Sequence, residues 1–191
     1  MCGAVSTGSL FPKPYADFVA RLRVPMGFLL VAAFAWFALP TPRSLACGIP
    51  VSLAGLALRA WAAGHLAKDK QLATGGPYAY IRNPLYLGTL LVALGLATAA
   101  RGVWLAALFA AVFLLVYLPA VMLEEQHLNR LFPEYAAYAA AVPGLIPHRR
   151  PHPGASRFSP ALYWKNREYQ ALAGFAAGLA WLIYRAMAVT P

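Results

Sequence analysis

The sequence predicts an all-α fold, a polytopic membrane helix bundle with about five transmembrane helices. Of its 191 residues, 61% are hydrophobic and 12% are charged, whereas a water-soluble domain carries about 25% charged residues. Five apolar runs approach the roughly 20 residues that a spanning helix needs. They cover residues 24–42, 45–66, 84–100, 102–123 and 169–189. A chain so poor in charge needs lipid as part of its solvent.

Residues 1–23 precede the first run and are predicted to form a cytoplasmic amphipathic lead-in. Lys13, Asp17 and Arg21 interrupt any apolar core there, so the segment does not resemble a cleavable signal peptide. Short turns join the first run to the second and the third to the fourth. The longer polar segments 67–83 and 124–168 separate the other runs, so polar chemistry has room on only one side of the membrane.

The fifth run contains two glycines four residues apart, Gly174 and Gly178. Small residues at this spacing let neighbouring helices approach closely in a membrane. The pair therefore predicts a tight helix contact rather than a chemical role.

Basic residues set the orientation, because cytoplasmic loops of membrane proteins carry an excess of Lys and Arg. With the N-terminus inside, twelve Lys and Arg residues fall on the cytoplasmic side, and three, Arg43, Arg101 and Arg185, on the other. We expect one domain over residues 1–191 in an inner membrane of bacterial type, with the N-terminus in the cytoplasm and the C-terminus outside.

The net charge of +10 does not indicate a nucleic-acid partner, because the basic residues lie between apolar runs, where anionic membrane lipid explains them. The basic, proline-rich segment 147–158 is predicted to contact such lipid; a lid over a site is the alternative. Cys2 and Cys47 give no disulfide framework. The histidines within 127–152 lack the spacing of a metal site, so no metal is predicted.

The segment TGGPYAYIRNPLYLG, residues 74–88, gathers polar and aromatic residues just before the third run. Its GGP start predicts a turn, and Pro84 suits the first turn of a helix. One interpretation is an interfacial loop with a snorkelling Arg82 and an aromatic belt. The dense order of Tyr, Arg, Asn, Pro and Tyr favours the other interpretation, a binding site.

Glu124 and Glu125 stand at the end of the fourth run. An acidic pair beside a membrane core is costly unless it is paired or bound. Successive helical residues point about 100° apart, so the two carboxylates cannot address one ligand atom in the same way. We expect one to bind a ligand while the other caps or pairs; the alternative is a charged helix extension in water.

Arg59 lies inside the second run, roughly 13 Å along a helix from Lys68 at 1.5 Å per residue. Its alternatives are to snorkel to the inner surface, to pair with Glu124 or Glu125, or to contact a substrate. His65 lies near the inner rim of the same run, where a lone histidine is more typical of an interface than of a catalyst.

The two segments together resemble the isoprenylcysteine carboxyl methyltransferase and phospholipid methyltransferase superfamily. The resemblance rests on GPYAYIRNPLYLG, then on the acidic pair with a phenylalanine and two tyrosines, and then on VPGLIP; it spans roughly residues 50–147. NREYQALAGF, at 166–175, resembles the tail of bacterial members. The resemblance implies an all-helical membrane enzyme that uses S-adenosyl-L-methionine.

The resemblance also implies a cofactor pocket near the cytosol, within about 65–147. The chemistry suits this cofactor, because arginine binds a carboxylate, glutamate accepts from an ammonium or a diol and tyrosine rings attract a sulfonium. Arg59 and Glu125 are the predicted catalytic residues. The predicted cofactor-binding residues are His65, Gln71, Leu72, Tyr78, Arg82, Asn83, Pro84, Tyr86, Glu124 and Glu125.

Two positions depart from the family pattern. Asn83 replaces the family's histidine; asparagine keeps a donor and an acceptor but does not titrate near neutral pH, so no general base is expected there. Ala120 replaces the arginine that isoprenylcysteine enzymes carry one turn before the acidic pair, which argues against a prenylcysteine substrate.

The predicted function is methyl transfer from S-adenosylmethionine to a lipophilic acceptor, a carboxylate, amine or hydroxyl on a small molecule or a lipid-linked substrate. One alternative is an NADPH-dependent membrane reductase of the sterol-reductase type, which would need further basic residues for phosphates. The other is a non-enzymatic membrane scaffold or small transporter. A transporter would show inverted repeats or broken mid-membrane helices, and neither is evident.

Overall fold

The computed structural model describes residues 13–148, 151–154 and 156–189. Within these residues the chain is helical and contains no strand. A 3₁₀ turn, Gly76–Ala79, and a π-helical segment, Phe113–Tyr117, supplement eight α-helices. The helices are α1 (Lys13–Phe37), α2 (Pro42–Ala63), α3 (Pro84–Ala100), α4 (Val103–Val112), α5 (Leu118–Leu131), α6 (Tyr135–Ala141), α7 (Pro160–Lys165) and α8 (Tyr169–Val189).

Five apolar helices overlap the five predicted runs. By length and composition, Pro42–Ala63, Val103–Leu131 and Tyr169–Ala188 are long and apolar enough to cross a membrane, and Pro25–Phe37 and Pro84–Ala100 are shorter apolar helices. The predicted all-α membrane helix bundle is confirmed. That the two shorter helices also cross the membrane stays a prediction.

The first helix differs from its predicted run at both ends. It begins at Lys13, within the predicted lead-in, of which residues 1–12 lie outside the described residues, and it ends at Phe37. Pro42 opens α2, and the Thr41 hydroxyl accepts a hydrogen bond from the Ser44 amide at 3.2 Å. A threonine N-cap followed by proline is a strong helix start, so residues 38–41 form a turn.

Helices α2 and α3 pack against each other through glycines. A Cβ placed on Gly55 would lie 2.6 Å from the carbonyl oxygen of Gly88 and 2.7 Å from the amide nitrogen of Val92. The Ser52 hydroxyl donates to the Val92 carbonyl at 3.0 Å. A larger residue at Gly55 would therefore force the two helices apart, because close backbone approach requires small residues.

The tight contact predicted at Gly174 and Gly178 is wrong for the described part of the chain. A Cβ on Gly174 would meet nothing within 4 Å, and one on Gly178 would meet only Phe34, at 4.0 Å. Small-residue spacing permits close packing but does not say which helix pair uses it. In this fold α2 and α3 use it.

The fourth predicted run is one continuous helix with a π-helical segment at Phe113–Tyr117. Pro119 explains the π-helical segment, because proline lacks an amide hydrogen and its ring clashes with the carbonyl four residues earlier. That carbonyl belongs to Leu115, and the Tyr15 hydroxyl donates to it at 3.0 Å. A residue of α1 thus satisfies the backbone group that the proline leaves without its helical partner.

The polar segments lie at one end of the bundle, which we call the loop end, and the short turns lie at the other. At the turn end, the Leu39 amide donates to the Ala100 carbonyl at 2.9 Å, and Arg185 of α8 donates to the Ala38 carbonyl at 2.9 Å. Segments 64–83 and 132–168 connect helices at the loop end. All chemistry-bearing residues considered below belong to that end or to the helix turns next to it.

Candidate active site

A cavity of about 400 Å³ opens at the loop end between the segment that follows α2, the start of α3, and helices α5 and α6. Small-molecule sites usually measure roughly 300–1,000 Å³. The cavity brings together most of the predicted cofactor-binding residues. Those that line it are Gln71, Leu72, Tyr78, Arg82, Asn83, Pro84, Tyr86 and Glu124.

Two motifs that lie some 60 residues apart in the chain meet beside this cavity. The Arg82 amide donates to the Pro143 carbonyl at 2.9 Å, and the Asn83 amide donates to the Gly144 carbonyl at 3.2 Å. Pro84 then opens α3, since its fixed φ suits the first helical position. The backbone pairing of RNP with VPG thus fixes where the Arg82 and Asn83 side chains project.

Glu125 ties these two side chains together. Its Oε1 lies 3.2 Å from Arg82 Nε, and its Oε2 accepts from Arg82 Nη2 at 3.4 Å. Asn83 Nδ2 donates to Glu125 Oε1 at 2.8 Å and also to the Gly144 carbonyl at 3.3 Å. Glu125 is not among the residues that line the cavity, so it lies behind Arg82 and Asn83. Its predicted cofactor-binding and catalytic roles stay predictions.

Glu124 points elsewhere, as its offset from Glu125 around the helix requires. Its Oε2 accepts a hydrogen bond from the Tyr86 hydroxyl at 3.0 Å. Glu124 is exposed and lines the cavity. The acidic pair is therefore divided between two surroundings, one carboxylate in a network with Arg82 and the other open to the cavity.

A second cavity, of about 600 Å³, lies between α1, α3 and the α4–α5 helix. Phe28 and Val31 form its α1 side, and they are 73% and 65% exposed on the apolar surface of the bundle. The two cavities share three residues, Leu85, Tyr86 and Glu124. A wall built around the Tyr86–Glu124 hydrogen bond thus separates a loop-end cavity from one that opens on the apolar surface of the bundle.

Arg59 lines the second cavity, and its partner is Glu168 rather than the predicted Glu124 or Glu125. Arg59 Nε donates to Glu168 Oε1 at 2.5 Å and Nη2 donates to Oε2 at 3.0 Å. Its Nη1 donates to the Thr89 hydroxyl at 2.5 Å and to the Leu85 carbonyl at 3.3 Å. Most of its donors are thus committed within the protein.

Sequence reasoning missed Glu168, although a signal was present. Glu168 directly precedes the apolar run of α8, and Arg59 is a charge inside another run that needs a counter-ion. The Glu168 side chain is 8% exposed and that of Arg59 is 23% exposed. Helices α2 and α8 are far apart in sequence, so only the fold shows that they bring these charges together.

His65 lies behind the cavity and does not line it. The residue is 5% exposed, its Nδ1 is 2.9 Å from the Trp61 carbonyl, and its ring packs edge-on against Phe158. A Cβ on Gly76 would lie 2.6 Å from the His65 ring, and Gly76 has φ +59°. Gly76 therefore allows the loop to adopt a left-handed conformation and to pack closely against the His65 ring.

The described part of segment 147–158 packs against the loop before α3. The His148 amide donates to the Tyr80 carbonyl at 2.9 Å, and the His152 amide donates to the Ala79 carbonyl at 2.8 Å. The segment thus hydrogen-bonds to the outer side of the loop that lines the cavity. Its predicted lipid contact stays a prediction, and Arg149 and Arg150 lie outside the described residues.

Several cavity residues were not predicted, among them Tyr135 and Tyr138 of α6, Asp69 and His127. The Tyr138 hydroxyl donates to the Tyr78 carbonyl at 2.8 Å. Burial raises the pKa of Tyr135 and Tyr138 well above the usual range, so both remain neutral hydrogen-bonding groups. Both tyrosines belong to the pattern that carries the family resemblance, which is the signal that could have found them.

Asp69 and His127 stand on opposite sides of the cavity mouth. The Asp69 carboxylate lies 3.1 Å from His127 Nε2, and both side chains are at least half exposed. Asp69 has φ +56°, a conformation that aspartate tolerates better than most residues. Their contact ties the segment after α2 to α5.

The donor set fits S-adenosylmethionine. The cavity wall offers a guanidinium at Arg82, a carboxylate at Glu124, and the rings of Tyr78, Tyr86 and Tyr135. These groups match a carboxylate, an ammonium or diol, and a sulfonium. The buried hydroxyl of Tyr135 has no hydrogen-bond partner among the described residues, as expected of a group that a ligand would pair.

A family model described as phospholipid methyltransferase (PEMT) matches residues 22–135, a segment that includes Arg82, Asn83, both glutamates of the acidic pair and most of the bundle. The chain belongs to the phospholipid methyltransferase family. Membership confirms the predicted superfamily and makes the chain a membrane methyltransferase. Neither a reductase nor a scaffold is favoured by this match.

Two curated relatives are similar to this family member. The nickel-cobalt-cadmium resistance protein NccN of Alcaligenes xylosoxydans xylosoxydans is 33% identical over 150 residues, 71% of this chain and 70% of the relative. The cobalt-zinc-cadmium resistance protein CzcN of Cupriavidus metallidurans is 35% identical over 111 residues, 57% of this chain and 51% of the relative. No solved structure matches the chain significantly. In the described ranges, no group of three His, Cys, Asp or Glu residues could hold a metal ion.

Proposed function

We propose that the chain transfers a methyl group from S-adenosylmethionine to a lipid-borne acceptor. The observation that carries the proposal is the wall shared by the two cavities. One cavity opens at the loop end and presents the cofactor-type donor set, the other opens on the apolar surface, and Leu85, Tyr86 and Glu124 line both. Donor and acceptor would meet at this wall, and alignment of the two partners is the main source of rate in such a displacement.

The charges around the second cavity favour an amine acceptor over a carboxylate. Arg59 is neutralised by the two-point contact with Glu168, whereas Glu124 forms no ion pair among the described residues and is exposed to the cavity. A carboxylate acceptor would meet a like charge there, and Ala120 in the first cavity offers it no counter-ion. A lipid headgroup carrying an ammonium would be attracted to Glu124.

An ammonium must lose a proton before its nitrogen can accept a methyl group. Glu124 is the carboxylate that would take that proton as a general base and pass it to solvent through the open cavity, whereas Glu125, a predicted catalytic residue, is held by Arg82 and Asn83. S-adenosylmethionine, when bound, supplies the electrophilic methyl and leaves as S-adenosylhomocysteine, while the acceptor becomes the methylated ammonium. Arg82, held by Glu125, would bind the cofactor's carboxylate.

The proposed orientation keeps the loop end in the cytoplasm and the turn end outside. The basic residues support it, because most of them lie in the segments at the loop end. A water-soluble cofactor then reaches the first cavity from the cytosol, and the acceptor reaches the second from the bilayer.

The first test is calorimetric binding of S-adenosylhomocysteine to the purified protein. Arg82→Ala removes the guanidinium from the cavity wall and is expected to weaken binding. Glu134→Gln changes an exposed carboxylate that does not line the cavity and serves as the control. Absence of binding to the wild-type protein, or equal affinity in the Arg82 variant, would contradict the proposal.

The second test identifies the acceptor. Membranes that contain the protein are incubated with methyl-labelled cofactor, and the labelled lipid fraction is separated by headgroup. Label on an amine headgroup is expected. Label in a base-labile methyl ester would show a carboxylate acceptor and would contradict the charge argument.

A further inference from the structure

Two tyrosines one turn apart on α6 differ in a way that points to a ligand contact. Tyr135 and Tyr138 are 5% and 4% exposed, belong to the same apolar cluster, and lie with ring centroids 6.1 Å apart. The Tyr138 hydroxyl donates to the Tyr78 carbonyl at 2.8 Å. The Tyr135 hydroxyl is buried and has no partner among the described residues.

An unpaired buried hydroxyl is costly, and most buried polar groups in folded proteins have a partner. Tyr135 also lines the first cavity. Its unpaired hydroxyl therefore belongs to a side chain in the wall of a site. We propose that this hydroxyl hydrogen-bonds to the bound cofactor, which makes Tyr135 a binding residue. This inference rests on the proposed function.

The surroundings indicate which half of the cofactor the hydroxyl meets. Leu72 and Leu128 pack against the cluster that contains Tyr135 and also line the cavity. Apolar side chains suit the faces of an adenine ring, and a neutral phenol that donates and accepts matches a ribose hydroxyl or a ring nitrogen. The adenosine half is therefore the expected partner, and the charged amino-acid half is left to Arg82 and Glu124.

The test compares Tyr135→Phe with the matched variant Tyr138→Phe. Without ligand, Tyr135→Phe removes an unpaired group and should leave the melting temperature unchanged or raised, whereas Tyr138→Phe removes a made hydrogen bond and should lower it. In calorimetry, Tyr135→Phe should weaken S-adenosylhomocysteine binding by roughly three- to tenfold, the equivalent of one neutral hydrogen bond. Methylthioadenosine, which lacks the amino-acid half, should lose affinity by the same factor in competition.

The outcomes separate this inference from the proposed function. A wild-type protein that does not bind S-adenosylhomocysteine overturns both. Wild-type binding with equal affinity in Tyr135→Phe overturns only the inference. A lowered melting temperature of ligand-free Tyr135→Phe would show a partner within the protein, and an unchanged affinity for methylthioadenosine would place the contact on the amino-acid half; either result overturns the inference as stated.

Discussion

The Tyr86 hydroxyl donates a hydrogen bond to Glu124 at 3.0 Å and so joins the first turn of α3 to α5. Both residues line the loop-end cavity and the second cavity, which opens on the apolar surface. The bond therefore lies where a cofactor in one cavity and an acceptor in the other would meet. The two adjacent glutamates therefore have different partners. Glu124 accepts from Tyr86, whereas Glu125 is held by Arg82 and Asn83.

Glu124→Gln should reduce methyl transfer by about 100-fold or more, the usual contribution of a general base. The amide keeps the size of the side chain, and its oxygen can still accept hydrogen bonds from the Tyr86 hydroxyl and from the cofactor, so the affinity for S-adenosylhomocysteine should fall far less than turnover does. Turnover with labelled cofactor and calorimetry check the two quantities separately. A large loss of affinity with turnover preserved would place Glu124 in cofactor binding alone.

Glu125→Gln should act mainly on stability. The change removes the negative charge that faces Arg82 and leaves a single oxygen in place of the two that now serve Arg82 and Asn83, the latter at 2.8 Å. Hydrogen bonds to charged groups contribute about 1.5–3 kcal/mol, so the free energy of unfolding should fall by about that amount. Thermal unfolding in detergent measures this loss of stability. Glu124→Gln, at the neighbouring position, is the control and should unfold at nearly the wild-type temperature. Equal melting temperatures for wild type and Glu125→Gln would refute the network's structural role.

Glycine substitutions should separate a packed helix contact from an exposed one. Gly55→Ala places a Cβ 2.6 Å from the Gly88 carbonyl oxygen, so α2 and α3 must separate, at a cost of about 1–3 kcal/mol. Gly174→Ala meets nothing within 4 Å in the described structure and should be neutral or stabilising, because alanine favours a helix by about 1 kcal/mol. Melting temperatures of the two variants should therefore move in different directions. A matching decrease at Gly174 would reveal a helix contact that the described chain does not show.

The sequence predicted features that depend on local pattern. The five helices follow from apolar length, and Pro84 predicts the start of α3 from its fixed φ. The clustering of Arg82, Asn83 and Tyr86 on one cavity wall follows from their closeness in sequence at a helix start. Such features need only the chain's own geometry over a few residues.

Features that depend on which helices become neighbours were not predicted. Arg59 forms an ion pair with Glu168, 109 residues away, only because α2 and the start of α8 pack together. Glycine spacing was visible in α8, but the close contact forms where Gly55 meets Gly88. The different tasks of Glu124 and Glu125 follow from the direction in which α5 presents each carboxylate, and a sequence gives the angle between the two but not the partner of either.

Stability should decrease at alkaline pH because of the tyrosines around the cavity. Burial raises the pKa of Tyr78, Tyr135 and Tyr138 above the ordinary value, which is about 10. Above about pH 10 the unfolded chain loses these protons while the native chain keeps them, so the free energy of unfolding falls as pH rises toward the native pKa values. Below pH 9 this contribution should be constant.

Melting temperatures between pH 8 and 11, with near-ultraviolet absorbance to follow phenolate formation, check this prediction. The slope at high pH should be shallower in Tyr138→Phe, which lacks one of the titrating groups. Ionisation of all tyrosines near pH 10 in a protein that stays folded would show that the three hydroxyls are solvated.

The Arg59–Glu168 pair should behave as a buried ion pair. Arg59→Met leaves the Glu168 carboxylate, 8% exposed, without its cation, and breaking a buried pair costs about 3–5 kcal/mol. The double variant Arg59→Met, Glu168→Leu removes both charges and should recover most of that loss, because an apolar pair of similar volume restores packing without desolvated charge. Thermal unfolding of the two single variants and the double variant measures the coupling between the residues.

Asp69→Asn provides the matched comparison, because it removes a charge from the exposed pair with His127 at the cavity mouth. Asparagine tolerates the positive φ of that position, and an exposed pair contributes about 0–1 kcal/mol. Arg59→Met should therefore destabilise the protein far more than Asp69→Asn does. If Arg59→Met instead has the melting temperature of the wild type but transfers methyl groups slowly, the guanidinium acts on the acceptor and the predicted catalytic role of Arg59 stands.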